Sequence, residues 1–249
     1  MAHIKNPDYE TFTVRCDHCQ ACTLFNRVEV GRFTELDSTY LNCPACGCSF
    51  WVTGDIANPP YELFIWDADR HFAEKRYMLS ITSLCLAWEV FMATLARTTY
   101  LDRPYFNSLP DLVDDELQKE LADLFNRVTR KFTFFPLRNL VINTILHKVA
   151  PTTQKDARAA ILQIESQGFG NDVAPERIGA IEKKETRELL LALHAVTVGT
   201  LRNKVLHQNA YRPLAGEANY CRETEVVLLY QLQHAFGVDD YPSLMPLGV

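Results

Sequence analysis

An arginine, an asparagine and a histidine stand close together near the end of this chain, in the segment Arg202-Asn203-Lys204-Val205-Leu206-His207. Arginine carries a permanent planar cation whose N–H groups match phosphate oxygens. Histidine has the side chain whose unperturbed pKa suits proton transfer near neutral pH. Together the two residue types suit chemistry on a phosphodiester, with the histidine as base and the arginine beside the phosphate.

Helix geometry decides whether the three side chains of this motif can meet. Residues step about 100° around a helix, so Asn203 and His207, four positions apart, share a face. Arg202 and His207 are five apart, about 140° around the helix, so the guanidinium must reach back towards the imidazole. From spacing alone, a surface arginine beside a partly buried histidine is the commoner arrangement.

A second constellation lies in the first fifth of the chain, which holds six of the eight cysteines. The pairs Cys16/Cys19 and Cys43/Cys46 each have the C-x-x-C spacing, which lets one tight turn point both sulfurs at one metal ion. The pattern resembles a zinc ribbon and predicts a structural Zn²⁺ on these four thiolates. Such a site is closed, with no open position for a reacting water.

The ligand register has an alternative. Cys19 and Cys22 form another C-x-x-C pair, and His18 offers a nitrogen ligand. We prefer Cys16 and Cys19 because the β-type run 11–14 leads directly into them. Cys22 and Cys48 are then expected to be small packed thiols.

Composition defines the class of protein that carries these groups. Of the 249 residues, 47% are hydrophobic and 22% are charged, which is enough apolar material for a real core. The net charge of -6 excludes a generally basic nucleic-acid coat. No uninterrupted apolar stretch has membrane-spanning length, and the closest is Tyr77 to Leu95. The start has no apolar leader, so we expect a cytoplasmic protein that does not enter a membrane and whose clustered thiols bind metal.

The chain divides by pattern into two parts. Residues 1–66 contain the cysteines and short β-type runs at 11–14, 27–30 and 50–52, which predict the zinc ribbon. Residues 67–249 have helical periodicity, clearest from Tyr77 to Leu95. The predicted fold is therefore mainly α, a helical bundle preceded by a small β-type module. Periodicity, Gly and Pro predict helices at 69–101, 111–131, 137–149, 156–167, 175–208 and 217–236.

The helical part resembles the HEPN superfamily. Its members are all-helical domains with an R-x(4–6)-H motif, usually with a polar residue such as Asn after the Arg. Here Arg202, Asn203 and His207 match the motif, Tyr211-Arg212-Pro213 follows, and a last amphipathic helix ends the domain. The segment Ala87-Trp88-Glu89-Val90-Phe91 is similar to part of the family's first core helix. The resemblance covers residues 70–237.

This resemblance implies a metal-independent endoribonuclease that acts on RNA as a homodimer, with one composite site made by two motifs. His207 would take the proton from an RNA 2′-hydroxyl, and the freed oxygen would attack the adjacent phosphorus to leave a 2′,3′-cyclic phosphate. Arg202 would stabilise charge on the phosphoryl oxygens, and Asn203 would orient the histidine or the phosphate. Such domains often occur in stress or defence effectors, in which the ribbon would sense the substrate or target.

Two other functions stay open at this point. Some members of the superfamily are not nucleases, so the chain could be a non-catalytic adaptor in which the bundle dimerises and the ribbon binds a protein. It could also be a zinc-ribbon regulator that binds nucleic acid, although acidic residues outnumber the basic ones in the ribbon.

Three further features bear on RNA binding. Residues 125–160 carry seven basic residues against Asp156, which either steer a phosphate backbone or form solvated helix faces. Phe132, Phe134 and Phe135 either stack on bases or, more commonly, belong to the core. Glu89 either pairs with Arg202 or lies exposed on its helix. The seven basic residues are Arg127, Arg130, Lys131, Arg138, Lys148, Lys155 and Arg158.

Overall fold

The structure is a computed structural model that describes residues 11–16, 18–26, 38–53, 60–107, 114–208 and 211–236. Two short hairpins precede a series of helices, so the predicted mainly α fold is confirmed.

The two hairpins have the same form. Strand β1 (Thr11–Arg15) pairs antiparallel with β2 (Cys22–Asn26), and β3 (Ser38–Asn42) pairs antiparallel with β4 (Ser49–Thr53). The predicted β-type runs at 11–14 and 50–52 lie in β1 and β4, whereas the run at 27–30 lies outside the described residues. Each hairpin ends in a six-residue loop, 16–21 or 43–48, that carries one C-x-x-C pair.

The helices form an irregular bundle. Pro60 begins α1, a position at which its missing N–H costs nothing. Helical structure thus starts ahead of the predicted boundary at 66/67. In chain order the helices are α1 (Pro60–Ala73), α2 (Tyr77–Arg97), α3 (Arg103–Phe106), α4 (Asp115–Thr129), α5 (Phe134–His147), α6 (Gln154–Ser166), α7 (Pro175–Gly179), α8 (Lys184–His194), α9 (Val198–His207), α10 (Ala215–Tyr220) and α11 (Val226–Phe236). π-helical turns, Thr98–Asp102 and Cys221–Glu225, join α2 to α3 and α10 to α11.

Two of the helix predictions are wrong because each spans more than one helix of the structure. The helix predicted over 69–101 divides at Lys75, whose φ of 60° is left-handed. There the Lys75 and Arg76 N–H groups bond back to the carbonyls of Phe72 and His71, a closure that ends α1. The helix predicted over 175–208 divides into α7, α8 and α9.

Other boundaries agree more closely with the sequence. Asp114 caps α4 by accepting from the Leu117 N–H at 2.9 Å, and Thr153 is the N-cap of α6. The helix predicted over 137–149 begins earlier, at Phe134, because Pro136 lies in the first turn of α5, where proline is tolerated. The last predicted helix, 217–236, is divided by the π-helical turn into α10 and α11.

Helix α2 is the centre of the main core. The residues with the predicted helical spacing from Ile81 to Leu95 point inward, and Trp88 and Phe91 are 1% and 0% exposed. Around them pack α1, α5, α9 and the last helices. A second apolar cluster joins the end of α2 to α4, α5 and α6 through Tyr100, Leu121, Leu140 and Ile161.

Two helical stretches of the described residues, Tyr77–Tyr105 and Lys184–His207, are long and apolar enough to cross a membrane by length and composition alone. Half of the first stretch's apolar window is buried inside the protein, as in a core helix. The second stretch is interrupted by the non-helical residues 195–197.

Candidate active site and metal centre

Helix α9 carries the arginine–histidine motif, and a buried carboxylate from another element starts this helix. Glu225, only 3% exposed, accepts from the Thr197 N–H at 2.6 Å, the Thr197 hydroxyl at 2.7 Å and the Val198 N–H at 3.2 Å. These N–H groups have no partner within the helix, and the positive end of the helix dipole favours an anion there. Glu225 therefore fixes where α9 begins and ties it to the π-helical turn before α11.

A close approach between α9 and α5 fixes the side of α9 that faces the core. A Cβ atom at Gly199 would lie 2.3 Å from Cδ1 of Phe134, a buried ring, so only glycine fits. The Phe134 N–H donates to Oε1 of Glu89 on α2 at 3.0 Å. Phe134 thus joins α2, α5 and α9, and the motif helix rests on a rigid support.

The motif side chains lie on the same face of α9 as this contact or at the end of the helix, because Arg202 and Asn203 follow Gly199 by three and four positions. Arg202 and Asn203 are half-buried, and Nη1 of Arg202 donates to Oδ1 of Asn203 at 3.1 Å. His207 is exposed in the last turn, and within the described residues no hydrogen bond joins it to the other two. One chain therefore brings the arginine and the asparagine together and presents the histidine to solvent.

Glu89 has neither of the roles expected from the sequence. Its Oε1 accepts from the Phe134 backbone and lies 4.0 Å from the Cys85 Sγ atom, and the described residues contain no ion pair between Glu89 and Arg202. Burial and, to a smaller extent, the negative charge of Glu89 raise the pKa of the Cys85 thiol to about 12, whereas the positive charge of Arg202 acts to lower it. The Arg202 guanidinium thus acts electrostatically on the buried Cys85 of α2 without forming an ion pair with Glu89.

The segment after α9 folds back on the motif helix. Nζ of Lys204 lies 5.5 Å from the centre of the Tyr211 ring, and the Tyr211 hydroxyl donates to Oε1 of Glu217 at 2.8 Å. Glu217 also accepts from the Leu214 N–H at 2.7 Å. Burial and the Glu217 carboxylate raise the pKa of Tyr211 to about 12, so its hydroxyl stays a donor at neutral pH. Residues 211–217 are thereby held beside the last turn of α9.

The four predicted ligands form a single cluster. The Sγ atoms of Cys16, Cys19, Cys43 and Cys46 all lie within 4.8 Å of one another, with 3.8 Å between Cys16 and Cys46 and 3.6 Å between Cys19 and Cys43. Four sulfurs at about 2.3 Å from zinc in a regular tetrahedron are about 3.8 Å apart. The cluster therefore has the size of a tetrahedral thiolate site for a metal ion.

The two loops that supply these sulfurs have matching backbones. The Cys16 and Cys43 N–H groups bond to the carbonyls five residues on, at 3.0 and 2.9 Å. Each cysteine carbonyl accepts from the N–H four residues on, at Gln20 and at Gly47, which are both left-handed with φ of 60° and 71°. This shared turn points both thiols of each pair the same way.

The pKa values within the cluster shift in different directions. The Cys46 N–H, then the Ala45 N–H and neighbouring thiols, lower the pKa of Cys43 to about 7, although burial acts against them. The Cys48 N–H acts to lower the pKa of Cys46, but burial and the Cys19 and Cys43 thiols raise it to about 12. The thiols therefore do not all ionise together, and binding of a metal ion as thiolates would release protons. His18 and Cys48 lie outside the cluster, and Cys22 lies in β2 opposite Arg15.

The basic stretch at 125–160 is not one surface. Arg138 is 7% exposed, bonds to Oδ1 of Asp172 at 3.1 Å and donates to the His194 carbonyl at 2.9 Å, so it is a structural residue. The other six basic residues are exposed.

The three phenylalanines of this stretch contribute to the core. Phe134 is a core residue at 2% exposure, and Phe132 and Phe135 are half-buried and pack against the core, which is the commoner of the two roles expected.

Glu225 is the residue that positions the candidate site and that sequence analysis missed. Its sequence neighbourhood, Arg222-Glu223-Thr224-Glu225, is a polar helix segment in which two glutamates look alike. A helix that starts at Thr197-Val198 needs an acceptor for its first N–H groups, and this need is a weak indication in the sequence. The residue that supplies the acceptor is distant along the chain, so only the fold identifies it.

The chain was compared with protein-family models, with curated proteins and with solved structures, and none of them matches it. The site is therefore interpreted from its own residues and geometry.

Proposed function

We propose that this protein is a metal-independent endoribonuclease of the HEPN type, whose site is built from Arg202, Asn203 and His207. The proposal rests on the arrangement of the three motif side chains on helix α9. A helix fixed at its start by Glu225 holds Arg202 bonded to Asn203 and exposes His207 on the last turn. Cleavage of a phosphodiester by its own 2′-hydroxyl requires a base for the hydroxyl proton and a cation for the phosphate, and this helix carries both groups.

The proposed reaction needs no metal-bound water, because RNA supplies the nucleophile. Neutral His207 removes the proton of the 2′-hydroxyl, and the oxygen forms a bond to the adjacent phosphorus. The bond from phosphorus to the 5′-oxygen breaks, leaving a 2′,3′-cyclic phosphate on one product. The leaving 5′-oxygen takes a proton from the partner's His207 in its protonated form, which makes a 5′-hydroxyl on the other product. Arg202 stabilises the negative charge on the phosphoryl oxygens.

A homodimer is part of the proposal because one motif offers a single histidine for two proton transfers. Surface composition supports a second copy as the partner. Leu206, next to His207, is 51% exposed, and Tyr220 and Val227 of the last helices are 51% and 53% exposed. Large exposed apolar side chains at the motif and on the helices that follow it are suited to a protein interface.

The cysteine cluster is proposed to hold a structural Zn²⁺. The support is the sulfur spacing together with the set of four thiolates, which zinc prefers and which leaves no open coordination position. In this proposal the ion folds the two hairpins and takes no part in RNA cleavage.

The catalytic site is tested with mixed-sequence RNA in the presence of EDTA. Wild-type protein should cut it, whereas Arg202→Ala and His207→Ala should each lose about 100-fold or more of the rate, the scale of a lost base or charge stabiliser. Arg202→Lys should also be impaired because an ammonium lacks the two-pronged donor geometry. Mass spectrometry of the products should find 2′,3′-cyclic phosphate ends.

His234→Ala is the matched control, since His234 is an exposed histidine in the last turn of α11, the same setting as His207 in α9. It should cut at the wild-type rate. Equal rates for His207→Ala and wild type would reject the site. A folded, dimeric wild-type protein that cuts no RNA would favour the non-catalytic adaptor instead.

A further inference from the structure

A basic cleft lies between the turn that joins α1 to α2 and the segment that follows α9. Its volume is about 360 Å³. Its lining includes three cationic residues, Lys75, Arg76 and Arg212, and among the described residues that line it none is acidic. In a chain of net charge -6, such a group of cations is a local exception.

The backbone places these cations on the cleft. Lys75 is the left-handed residue that closes α1, so its side chain leaves the helix at the turn. Arg212 donates through Nη1 to the Tyr211 carbonyl at 2.9 Å, which orients its guanidinium. Arg76 lies 3.2 Å from the Glu74 carboxylate, but both side chains are largely exposed, and a surface pair of this kind exchanges readily with another anion.

The cleft also has an apolar floor. Tyr77 lies in it with its ring half-buried, Leu79 is 47% exposed, and Pro213 is buried. An aromatic ring and apolar side chains under a rim of cations are the components that hold single-stranded nucleic acid, in which bases lie on the floor and phosphates meet the cations. An acidic protein partner would use the rim and leave the floor without a role.

The cleft is close to the arginine–histidine motif. Arg212 follows His207 by five positions, and a chain of five residues spans at most about 18 Å. The actual separation is shorter than a full extension, because the Tyr211 ring lies against Lys204 of α9. An RNA strand bound with one linkage at His207 can therefore continue into the cleft.

We infer that this cleft is a binding subsite for single-stranded RNA, in which Lys75 and Arg212 contact phosphates next to the linkage that is cut. The inference rests on the proposed ribonuclease function for its substrate, but binding can be measured without cleavage. The inferred subsite makes residues of the turn that closes α1 and of the segment after α9 determinants of affinity.

The test measures binding of a short labelled single-stranded RNA by fluorescence anisotropy, with every variant built on His207→Ala so that no RNA is cut. Lys75→Ala/Arg212→Ala should raise Kd at least about tenfold and reduce the salt dependence of log Kd by about 0.7 for each cation removed. Lys183→Ala/Lys184→Ala is the control, because it removes the same charge from two side chains that are both 74% exposed at the start of α8. The control should bind within about twofold of its parent.

Circular dichroism of each variant checks that the helices remain folded. If both double variants weaken binding equally, only net charge matters and the subsite is rejected. If the cleft variant binds as its parent does while the wild-type protein cuts RNA, the subsite is rejected and the catalytic site stands. If no RNA is cut but the cleft variant alone loses binding, the subsite stands and the catalytic proposal fails.

Discussion

Glu225 is a single side chain on which the placement of the arginine–histidine motif depends. Its carboxylate meets two backbone N–H groups and a hydroxyl at the start of α9, and it is buried. A charged acceptor in such a place makes stronger bonds than a neutral one. Its loss would leave buried donors without a partner, which is costlier than the loss of an exposed bond.

Glu225→Gln tests this role. Glutamine keeps the shape but replaces one acceptor oxygen with an N–H donor, which would face the N–H groups of Thr197 and Val198. We expect a loss of about 1–3 kcal/mol in the free energy of unfolding, measured by urea denaturation. Glu223→Gln, an exposed change in the same π-helical turn, should alter it by less than about 0.5 kcal/mol. Equal stability of the two variants would mean that the buried carboxylate contributes nothing.

At individual residues the sequence predicted which cysteines meet better than it predicted contacts between distant helices. The C-x-x-C spacing, with the β-type run that leads into Cys16, predicted four cysteines as ligands, and these four lie in one cluster. Arg202 and Asn203 do lie together, because neighbouring positions on one helix need no other element to meet. The partner of Glu89 was not predictable, since it is a backbone N–H that α5 brings to α2. Arg138 looked like a surface cation and is buried for the same kind of reason.

Helix α9 can approach α5 only because one of its residues has no side chain. An alanine at Gly199 would gain up to about 1 kcal/mol of helix propensity. Against this, its Cβ would lie 2.3 Å from a buried ring that Glu89 and the core hold in place. We expect Gly199→Ala to destabilise the protein by about 1–3 kcal/mol, as for other overpacked sites, in urea denaturation.

Gly216→Ala is the comparison for this change. Gly216 lies in α10, and a Cβ there would meet nothing within 4 Å. This variant should be as stable as the wild type or up to about 1 kcal/mol more stable. A stabilising effect at Gly199 as well would show that Phe134 moves aside freely and does not support the motif helix.

The hairpins depend on the cysteine cluster in a different way from the helices. An isolated two-stranded hairpin is marginal in water, and each of these two has only five-residue strands. We expect purified protein to carry one zinc ion per chain by elemental mass spectrometry. Chelation should disorder the hairpins in NMR spectra while the helical circular dichroism signal remains, because the helices have their own core.

A comparison of Cys43→Ser with Cys48→Ser tests which cysteine of the 43–48 loop binds the metal ion. Cys43 belongs to the four-sulfur cluster, and Cys48 lies outside it. Cys43→Ser should lose most of the bound zinc, whereas Cys48→Ser should keep it. Equal loss in both variants would contradict the assigned ligand register.

Element ends were predictable where local residues decide them and not where distant ones do. Helices α4 and α6 match the helices predicted over 111–131 and 156–167, and Asp114 caps α4 from within one turn by accepting from the Leu117 N–H. The continuous helix predicted over 175–208 failed at Thr197 because the acceptor that starts α9 there is Glu225, which comes from the end of the chain. The break at Lys75 was not predicted for another reason. The left-handed residue that ends a helix is usually glycine, which is easily recognised in a sequence, whereas here it is a lysine.

At the scale of the whole chain, cationic and exposed apolar side chains both occur near the arginine–histidine motif. Three cations line the basic cleft together with the exposed Leu79, and further exposed apolar side chains lie on α9, α10 and α11. In the proposed nuclease the cleft receives RNA, and the apolar side chains of the last helices meet a second copy. The second copy is needed because a base and an acid both take part and one motif has a single histidine.

The Leu206→Glu variant tests whether the protein forms the proposed homodimer through the motif helix. Leu206 is 51% exposed beside His207, so a charge there should not disturb the monomer fold but would be desolvated at an interface between two motifs. Wild-type protein should have the mass of a dimer by light scattering, and the variant that of a monomer. Leu162→Glu, an equally drastic change at a 45% exposed leucine of α6, should remain dimeric. RNA cleavage should be lost together with the dimer. If Leu206→Glu stays dimeric, the two copies do not meet at Leu206. If the wild-type protein cuts RNA as a monomer, both proton transfers are carried out by one chain and the composite site is wrong.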